Sequence, residues 1–461
     1  MCWECWFRRS GLAGIEIVNA PALGWLGIAR LGLVQSAIGA IVMLVTSLLN
    51  RVMVVEYALP AALPAGLVAW HYAVQLSRPV WGHGSDRGHR RTPWIVFGMG
   101  MLALGSLLAV EVLGLLAARS AWGFALALGA FVMIGAGVGA AGTSLLALLA
   151  TRVAPQRRAA AAAITWIMMV AGIAVTAGVA GALIDPFSVQ RLTTVSAGVA
   201  GIAFVVSLLA VWGVEGAALP ALDSAGDAPS PTGSFGAALI EMWADADARR
   251  FTIFVFMSML AYSMQDLILE PFAGLLFGFT PGQSTQLSGV QHGGVLAGMI
   301  LIAIGGSVFG ERSPAGMRNW IVGGCVGSAL ALAGLAVAAR VGPGWPIIAN
   351  FAALGFANGI FAVAAIGAMM ELAGRGGAAG EGGREGIRMG IWGAAQAIAF
   401  GLGGLIGAIG VDVGRALIGS TPETFTIIFG AEALLFIASG LLALRGPARA
   451  APTMPIAGEL A

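Results

Sequence analysis

Two of the four histidines in this chain lie inside long apolar stretches, where a ring nitrogen can act as a ligand. His71, Gln75 and Arg78 follow one another at i, i+4 and i+7, so they form a polar stripe on one face of a helix. His292 stands beside a Gln and a Gly-Gly pair, where a flat ligand can approach the backbone. His71 and His292 are therefore candidate ligands, although a single histidine on a helix often serves as a packed, hydrogen-bonded residue. The residues alone leave both interpretations open.

Two polar clusters interrupt apolar stretches at matching points of the chain, roughly 215 residues apart. Ionisable groups inside lipid are costly, so each cluster indicates a site. We expect the clusters to face each other, with a salt bridge between Arg51 and Asp266 or Glu270. The alternative is that each cluster caps its own helix at the level of the lipid headgroups. The clusters consist of Asn50, Arg51, Glu56, Gln265, Asp266 and Glu270.

No group of residues predicts an active site. The chain has no phosphate-binding loop, no zinc-protease helix motif, no serine-hydrolase elbow and no aspartate-rich prenyltransferase motif. The stretch from Gly137 to Gly142 imitates a dinucleotide fingerprint, but close packing within an apolar helix explains it better. Cys2 and Cys5 form a CxxC without the second pair that a zinc site needs, and Glu111 and Glu432 are single acids. We therefore expect no catalytic residues, no metal site and no enzymatic activity.

The elements that must position these residues are transmembrane helices. Hydrophobic residues make up 58% of the chain and charged residues only 10%, with a mean hydropathy of +0.90, whereas soluble domains carry about a quarter charged residues. Twelve apolar stretches are long enough to cross a bilayer, and they must be helices because lipid offers backbone polar groups no partner. The predicted spans are approximately 31–52, 62–80, 94–117, 122–150, 164–184, 192–214, 251–275, 287–309, 319–339, 345–370, 389–411 and 425–444.

The distribution of basic residues predicts the orientation. All 24 basic residues are Arg, and with a cytoplasmic N-terminus all but five fall on the cytoplasmic side, as the positive-inside rule requires. We therefore predict a multi-pass protein of the bacterial inner membrane with both termini in the cytoplasm. The net charge of +2 is too small to indicate nucleic acid binding. The five exceptions are Arg51, Arg119, Arg191, Arg340 and Arg415.

The chain also matches itself across a Pro-, Ser- and Gly-rich linker. The pattern F-x3-G-x3-G begins at Phe131 and again at Phe351, and Asp185 and Asp412 end the fifth helix of each half. These matches predict an all-α major-facilitator fold, with twelve transmembrane helices as two six-helix pseudo-repeats. The predicted regions are an N-terminal cytoplasmic segment 1–30, a first half 31–214, a cytoplasmic linker with an amphipathic helix 215–250, a second half 251–444 and a cytoplasmic tail 445–461.

The loop after the second helix fits the cytoplasmic signature of facilitators. An Asp there can accept a charge-assisted bond from a nearby Arg or helix N-terminus, which would latch the inner face of one half. The alternative is a solvated charge cluster that only sets topology. His83 and His89 in the same loop are predicted to be solvated. The latch residues are Gly82, Asp86, Arg87, Arg90 and Arg91.

Several longer strings of residues resemble the PucC/LhaA family, over a region from about Arg30 to Arg445. The most specific is the L-N-R-V-M-x-V-E string. The branch whose members carry the name bacteriochlorophyll synthase chain is the most similar, because the loop between the second and third helices is short. The strings run from Arg30 to Gly39, Leu49 to Glu56, His71 to Gln75, Arg78 to Pro79, Gly84 to Asp86, Arg91 to Trp94 and Gln265 to Pro271.

The resemblance implies a major-facilitator branch of phototrophic bacteria that assembles light-harvesting complexes and handles bacteriochlorophyll. His71, Gln75 and His292 then become candidate pigment contacts, because a His nitrogen or Gln oxygen can fill the open axial position on Mg. It further implies bacteriochlorophyll as bound cargo and no other cofactor, an intracytoplasmic membrane, and light-harvesting polypeptides or bacteriochlorophyll synthase as partners. The first interpretation is therefore an assembly factor. The alternatives are a major-facilitator transporter of a small solute or drug, and a subunit of pigment synthesis whose partner supplies the chemistry.

Overall fold

The computed structural model describes residues 23–78, 81, 90–154, 157–215, 243–244, 246–309, 316–374 and 385–444, and the regular structure of these ranges is helical. Residues 1–22 of the predicted N-terminal segment, with Cys2 and Cys5, most of the linker and the tail lie outside them. The twelve longest helices there are α1 Trp25–Met43, α2 Ala62–Gln75, α3 Thr92–Glu111, α4 Ala121–Arg152, α5 Arg158–Ile184, α6 Val189–Val211, α7 Ala246–Asp266, α8 Pro281–Phe309, α9 Gly316–Val341, α10 Ile347–Gly374, α11 Glu385–Ile418 and α12 Thr421–Leu444.

Helices α1 and α7 continue beyond these bounds with irregular backbone. After α1 the chain continues in two wider, π-helical segments, Leu44–Leu49 and Val52–Glu56. After α7 it turns and resumes as the helix Leu269–Phe277. These are the parts of the chain that carry the two predicted polar clusters, and π-helical turns are frequent at functional sites.

Eleven helical stretches among the described residues are long and apolar enough to cross a membrane. The exception is α2, whose 14 residues rise only about 21 Å, although further turns extend it to Ser77. α1 begins at Trp25, before its predicted start at 31. Arg30, which was predicted to precede the helix, lies inside it, and its guanidinium donates to the carbonyls of Leu209 and Trp212. Eleven spans and α2 together make up the predicted twelve helices.

Helix packing repeats from one half to the other. In the first half α1 packs on α5 and α6, α2 on α4, and α3 on α4 and α6; in the second half the helices numbered six higher make the same five pairs. Between the halves α5 packs on α8 and α11 on α2, and the same pseudo-twofold exchange relates these two contacts. The predicted major-facilitator fold with two six-helix repeats is confirmed.

The repeated F-x3-G-x3-G pattern has the same packing role in both halves. A Cβ on Gly135 of α4 would lie 2.6 Å from the backbone oxygen of His71 on α2. A Cβ on Gly355 of α10 would clash even more with the backbone oxygen of Gln291 on α8. Only Gly allows these helix pairs to approach so closely, and His71 and Gln291 are therefore at equivalent positions of the two repeats.

Candidate functional site

Arg51 lies in the contact between the two halves, with only 2% of its side chain exposed. Its Nη1 forms an ion pair with Glu56 Oε1 at 2.5 Å, and its Nη2 donates to the backbone oxygen of Phe279 at 2.6 Å. Its Nε donates to Ser284 Oγ at 3.4 Å. The guanidinium therefore joins α1 to the start of α8 through neutral acceptors.

The predicted salt bridge from Arg51 to Asp266 or Glu270 is therefore wrong, although Glu270 remains within electrostatic range of Arg51. The reason is the π-helical backbone around Arg51. In a regular α-helix, a residue five positions later points away, but the wider turn places Glu56 beside Arg51. A prediction made with the 3.6-residue period could not find this partner.

The two polar clusters do meet across the halves. Ser47 Oγ donates to Glu270 Oε1 at 2.5 Å, and Asn50 Nδ2 donates to the backbone oxygen of Leu267 at 2.7 Å. The hydroxyls of Ser47 and Ser288 are 3.3 Å apart. These hydroxyls were not among the predicted site residues, although Ser284, Ser288 and His292 follow one another at i, i+4 and i+8 and form a stripe on one helix face.

His292 lies at the end of this stripe and is half-buried. Its Nδ1 is 2.9 Å from the backbone oxygen of Ser288, so Nδ1 must carry the proton and Nε2 of the neutral ring keeps a lone pair. A Cβ on Gly293 would meet nothing within 4 Å, whereas one on Gly294 would meet the backbone of α10 at Ala352. Of the predicted Gly-Gly pair, only Gly293 leaves the backbone open to a ligand.

His71 and Gln75 are on one helix face, as predicted, but they bind each other. The Gln75 amide donates to His71 Nε2 at 2.9 Å, and Arg78 donates to the Gln75 oxygen. The other ring nitrogen of His71 is 3.3 Å from the backbone oxygen of Val68. Both side chains are buried, and both ring nitrogens of His71 are engaged, so this ring offers a ligand no free lone pair.

Asp266 is half-buried and lies apart from the Arg51 contacts. It is close enough to Tyr72 of α2 and Tyr262 of α7 to interact with them electrostatically. Both tyrosine rings pack against Phe400 of α11, with centroids 6.0 and 5.8 Å away. Asp266 therefore belongs to an aromatic group where α2 and α11 meet. Gln265 is fully buried, and among the described residues neither atom of its amide has a hydrogen-bond partner.

Asp185 and Asp412 cap helices of the opposite half. Asp412 in α11 accepts the backbone N–H groups of Ala61 and Ala62, at 2.9 and 2.7 Å, where α2 begins. Asp185 after α5 accepts the hydroxyl of Thr280 and the N–H of Gly282 at 3.2 Å, where α8 begins. We call the end of the molecule with these two carboxylates the aspartate face. α11 continues past Asp412, which corrects the predicted end of that helix.

Part of the predicted latch lies outside the described residues, namely Gly82, Asp86 and Arg87, with His83 and His89. Arg91 is described: its backbone N–H and that of Thr92 donate to the Glu215 carboxylate at 2.7 and 2.9 Å. Its guanidinium donates to Thr151 at 2.8 Å and to a carbonyl in the last turns of α4. Arg91 thus joins the start of α3 to the end of α4, while the role of Asp86 stays a prediction.

Comparison with known proteins gives both a family and a fold. The family model described as PUCC protein matches residues 48–449. The Bacteriochlorophyll synthase 44.5 kDa chain of Rhodobacter capsulatus is 52% identical over 446 residues, covering 95% of this chain and 100% of that protein. Protein PucC of Rhodobacter capsulatus is 28% identical, covering 88% and 89%. A crystal structure of the peptide transporter POT superimposes with a TM-score of 0.65 at 14% identity, covering 92% and 95%, which supports the fold alone.

Proposed function

Because this chain belongs to the PUCC protein family, we propose that it is a non-enzymatic membrane assembly factor that binds bacteriochlorophyll and delivers it to light-harvesting polypeptides. Support comes from the relative at 52% identity, whose name links it to bacteriochlorophyll synthesis. We further propose that the protein lies in the inner membrane with both termini in the cytoplasm, as its Arg distribution indicates. The aspartate face is then the periplasmic side.

His292 is the residue that carries the pigment-binding proposal. The Mg of bacteriochlorophyll needs an axial donor, and histidines that ligate metals usually donate their second N–H to a carbonyl or carboxylate. His292 has this arrangement, with Nδ1 held by the Ser288 carbonyl at 2.9 Å. The open backbone at Gly293 adds room for a macrocycle. We propose that Nε2 of His292 ligates the Mg of bacteriochlorophyll. We assign His71 and Gln75 a structural role, because their hydrogen bonds are made within α2 and its C-terminal extension.

The test is gentle purification from the native membrane, followed by an absorption spectrum and an inventory of co-purified proteins. We expect bacteriochlorophyll bands and antenna or pigment-synthesis proteins with the wild-type chain. His292→Ala should lose most of the bound pigment, while His71→Ala, the matched buried-histidine control, should keep it. Equal pigment in both variants would remove His292 from the proposal, and a colourless, partner-free wild-type protein would refute the proposed function itself.

A solute transporter is the second candidate function. The group of Tyr72, Tyr262, Phe400 and Asp266 favours it, because a carboxyl and two phenols between the halves of a facilitator fold can bind a small polar or aromatic solute. A colourless, partner-free preparation would direct mutagenesis to Asp266.

An accessory role beside bacteriochlorophyll synthase predicts co-purification with that enzyme and no synthase activity of this chain alone.

A further inference from the structure

Glu432 of α12 is completely buried, and neither of its carboxyl oxygens has a hydrogen-bond partner among the described residues. Phe429 and Phe436, one turn before and one turn after it, are also fully buried. Phe429 packs against Phe272 with centroids 5.0 Å apart, and Phe436 packs against Phe361 at 5.9 Å. The carboxyl thus lies between two layers of aromatic rings.

A charged carboxylate is not stable in such surroundings. Burying an ion without a partner is very costly, so a buried acid either pairs with a cation or takes up a proton. Glu432 forms no ion pair with a described residue, in contrast to Glu56, which pairs with Arg51 on another helix. A metal ion needs several oxygen or nitrogen ligands, and the described residues contain no group of three that could supply them. Within the part of the chain that the structure describes, a proton is therefore the way to neutralise Glu432.

A second carboxyl lies close by. Asp266 of α7 interacts electrostatically with Glu432, and α7 packs along α12. Two neighbouring carboxyls cannot easily both be charged, so they favour a shared proton. Unlike Glu432, Asp266 is only half-buried, and it lies near Tyr72 and Tyr262 where the halves meet.

The other titratable groups on the helices packed against α12 lie elsewhere, and Arg340 of α9 and Arg415 of α11 lie in the last turns of their helices. On α9, Cys325 packs against Gly440, two turns along α12 from Glu432. Asp412 of α11 binds the start of α2 at the aspartate face. Glu270, after the break in α7, accepts the hydroxyl of Ser47. None of these contacts supplies a counter-charge to Glu432, which leaves Asp266 as its carboxyl neighbour.

We propose that Glu432 and Asp266 form a proton-binding pair in the second half of the protein. Glu432 holds the proton as a neutral acid, and Asp266 exchanges it with water in the space between the halves. A hydronium ion transfers a proton to one carboxylate oxygen: one O–H bond of the hydronium breaks, a carboxyl O–H bond forms, and a water molecule is released. The charge of the pair rises by one.

Infrared spectroscopy of the full-length protein in detergent or lipid tests the pair at neutral pH. A carboxylic acid whose C=O accepts no hydrogen bond gives a C=O stretch at higher frequency than a hydrogen-bonded one. We expect such a band in the wild type, a shift of the band when glutamate is labelled with 13C, and its loss in Glu432→Gln. Glu111→Gln, which changes an exposed glutamate, is the matched control and should keep the band. Asp266→Asn should keep the band but change its frequency.

Two results would overturn the proposal. One is the absence of a 13C-sensitive acid band in the wild-type protein, a measurement that needs no variant to fold. The other is an unchanged band in a folded Glu432→Gln variant. These outcomes do not depend on bound pigment, so they separate this inference from the proposed assembly function.

Discussion

Replacing Asp412 by Ala removes both acceptors that hold the start of α2 against α11. Asp412 accepts two N–H groups at 2.9 and 2.7 Å, and loss of such a helix cap costs about 0.5–2 kcal/mol, typically about 1. Because the acceptor and the capped helix belong to opposite halves, these hydrogen bonds exist only when the two halves are in contact at the aspartate face. Their loss therefore destabilises this closed state relative to an open one. A change of about 1 kcal/mol raises the open-to-closed ratio about fivefold. Asp185→Ala should act similarly at α8.

Ser284 is a suitable reporter of opening, because it is fully buried on α8 and lies two residues after Gly282, whose N–H Asp185 accepts. A Ser284→Cys variant is made in a background without the three native cysteines and is reacted with a hydrophilic maleimide in detergent. If opening is fast, the labelling rate follows the open fraction. We expect about a fivefold increase for each single Asp→Ala variant and roughly 25-fold for the double variant, since the two caps join different helix pairs.

Glu423→Gln is the matched control. Glu423 is exposed in the first turn of α12, and its backbone N–H bonds to Ser420 of the same half. This substitution removes a negative charge without touching a contact between the halves, so the labelling rate should not change. The reasoning is refuted if Asp185→Ala and Asp412→Ala label no faster than Glu423→Gln. A response at only one of the two aspartates would refute the reciprocal arrangement.

Two further predictions concern packing and charge between helices, both measured by thermal unfolding in detergent. Glu56→Gln leaves the buried guanidinium of Arg51 without its anion, and we expect a loss of about 1.5–3 kcal/mol because hydrogen bonds to charged groups contribute that much; an unchanged midpoint would show that the pair is solvated. Gly355→Ala forces a Cβ against the backbone of α8, and overpacking of this kind costs about 1–3 kcal/mol. Gly293→Ala, where the Cβ meets nothing within 4 Å, should stay within about 0.5 kcal/mol of the wild type, and an equal loss in both variants would contradict the close α8–α10 approach.

The fold could be predicted from sequence because its main determinants are periodic. Apolar length fixes the spans, and the spacing of Phe131 and its glycines recurs at Phe351, where the same helix pairs pack. The positions of Arg51 and Glu270 between the halves followed from that repeat. Their partners did not, because hydrogen-bond choice depends on local backbone geometry.

His71 and His292 show the same limit at the candidate site. The sequence predicted that both histidines lie inside helices, but it did not indicate which ring nitrogens form hydrogen bonds within the protein. A Gln four residues after His71 satisfies that ring, in the way that i, i+4 side chains meet on a helix. The residue four positions after His292 is Leu296, which has no polar group to offer, and the ring of His292 bonds to the preceding turn instead.

The reciprocal caps also bear on how such a protein could arise. In a symmetric dimer of one six-helix unit, a single aspartate position would make both contacts, because an isologous interface uses every residue twice. When two copies are joined in one chain, each of the two contacts is made by a different aspartate. Asp185 now bonds a Thr hydroxyl and one N–H, while Asp412 bonds two N–H groups. A duplicated six-helix unit would allow each side of the contact to diverge while both carboxylates still cap a helix of the opposite half.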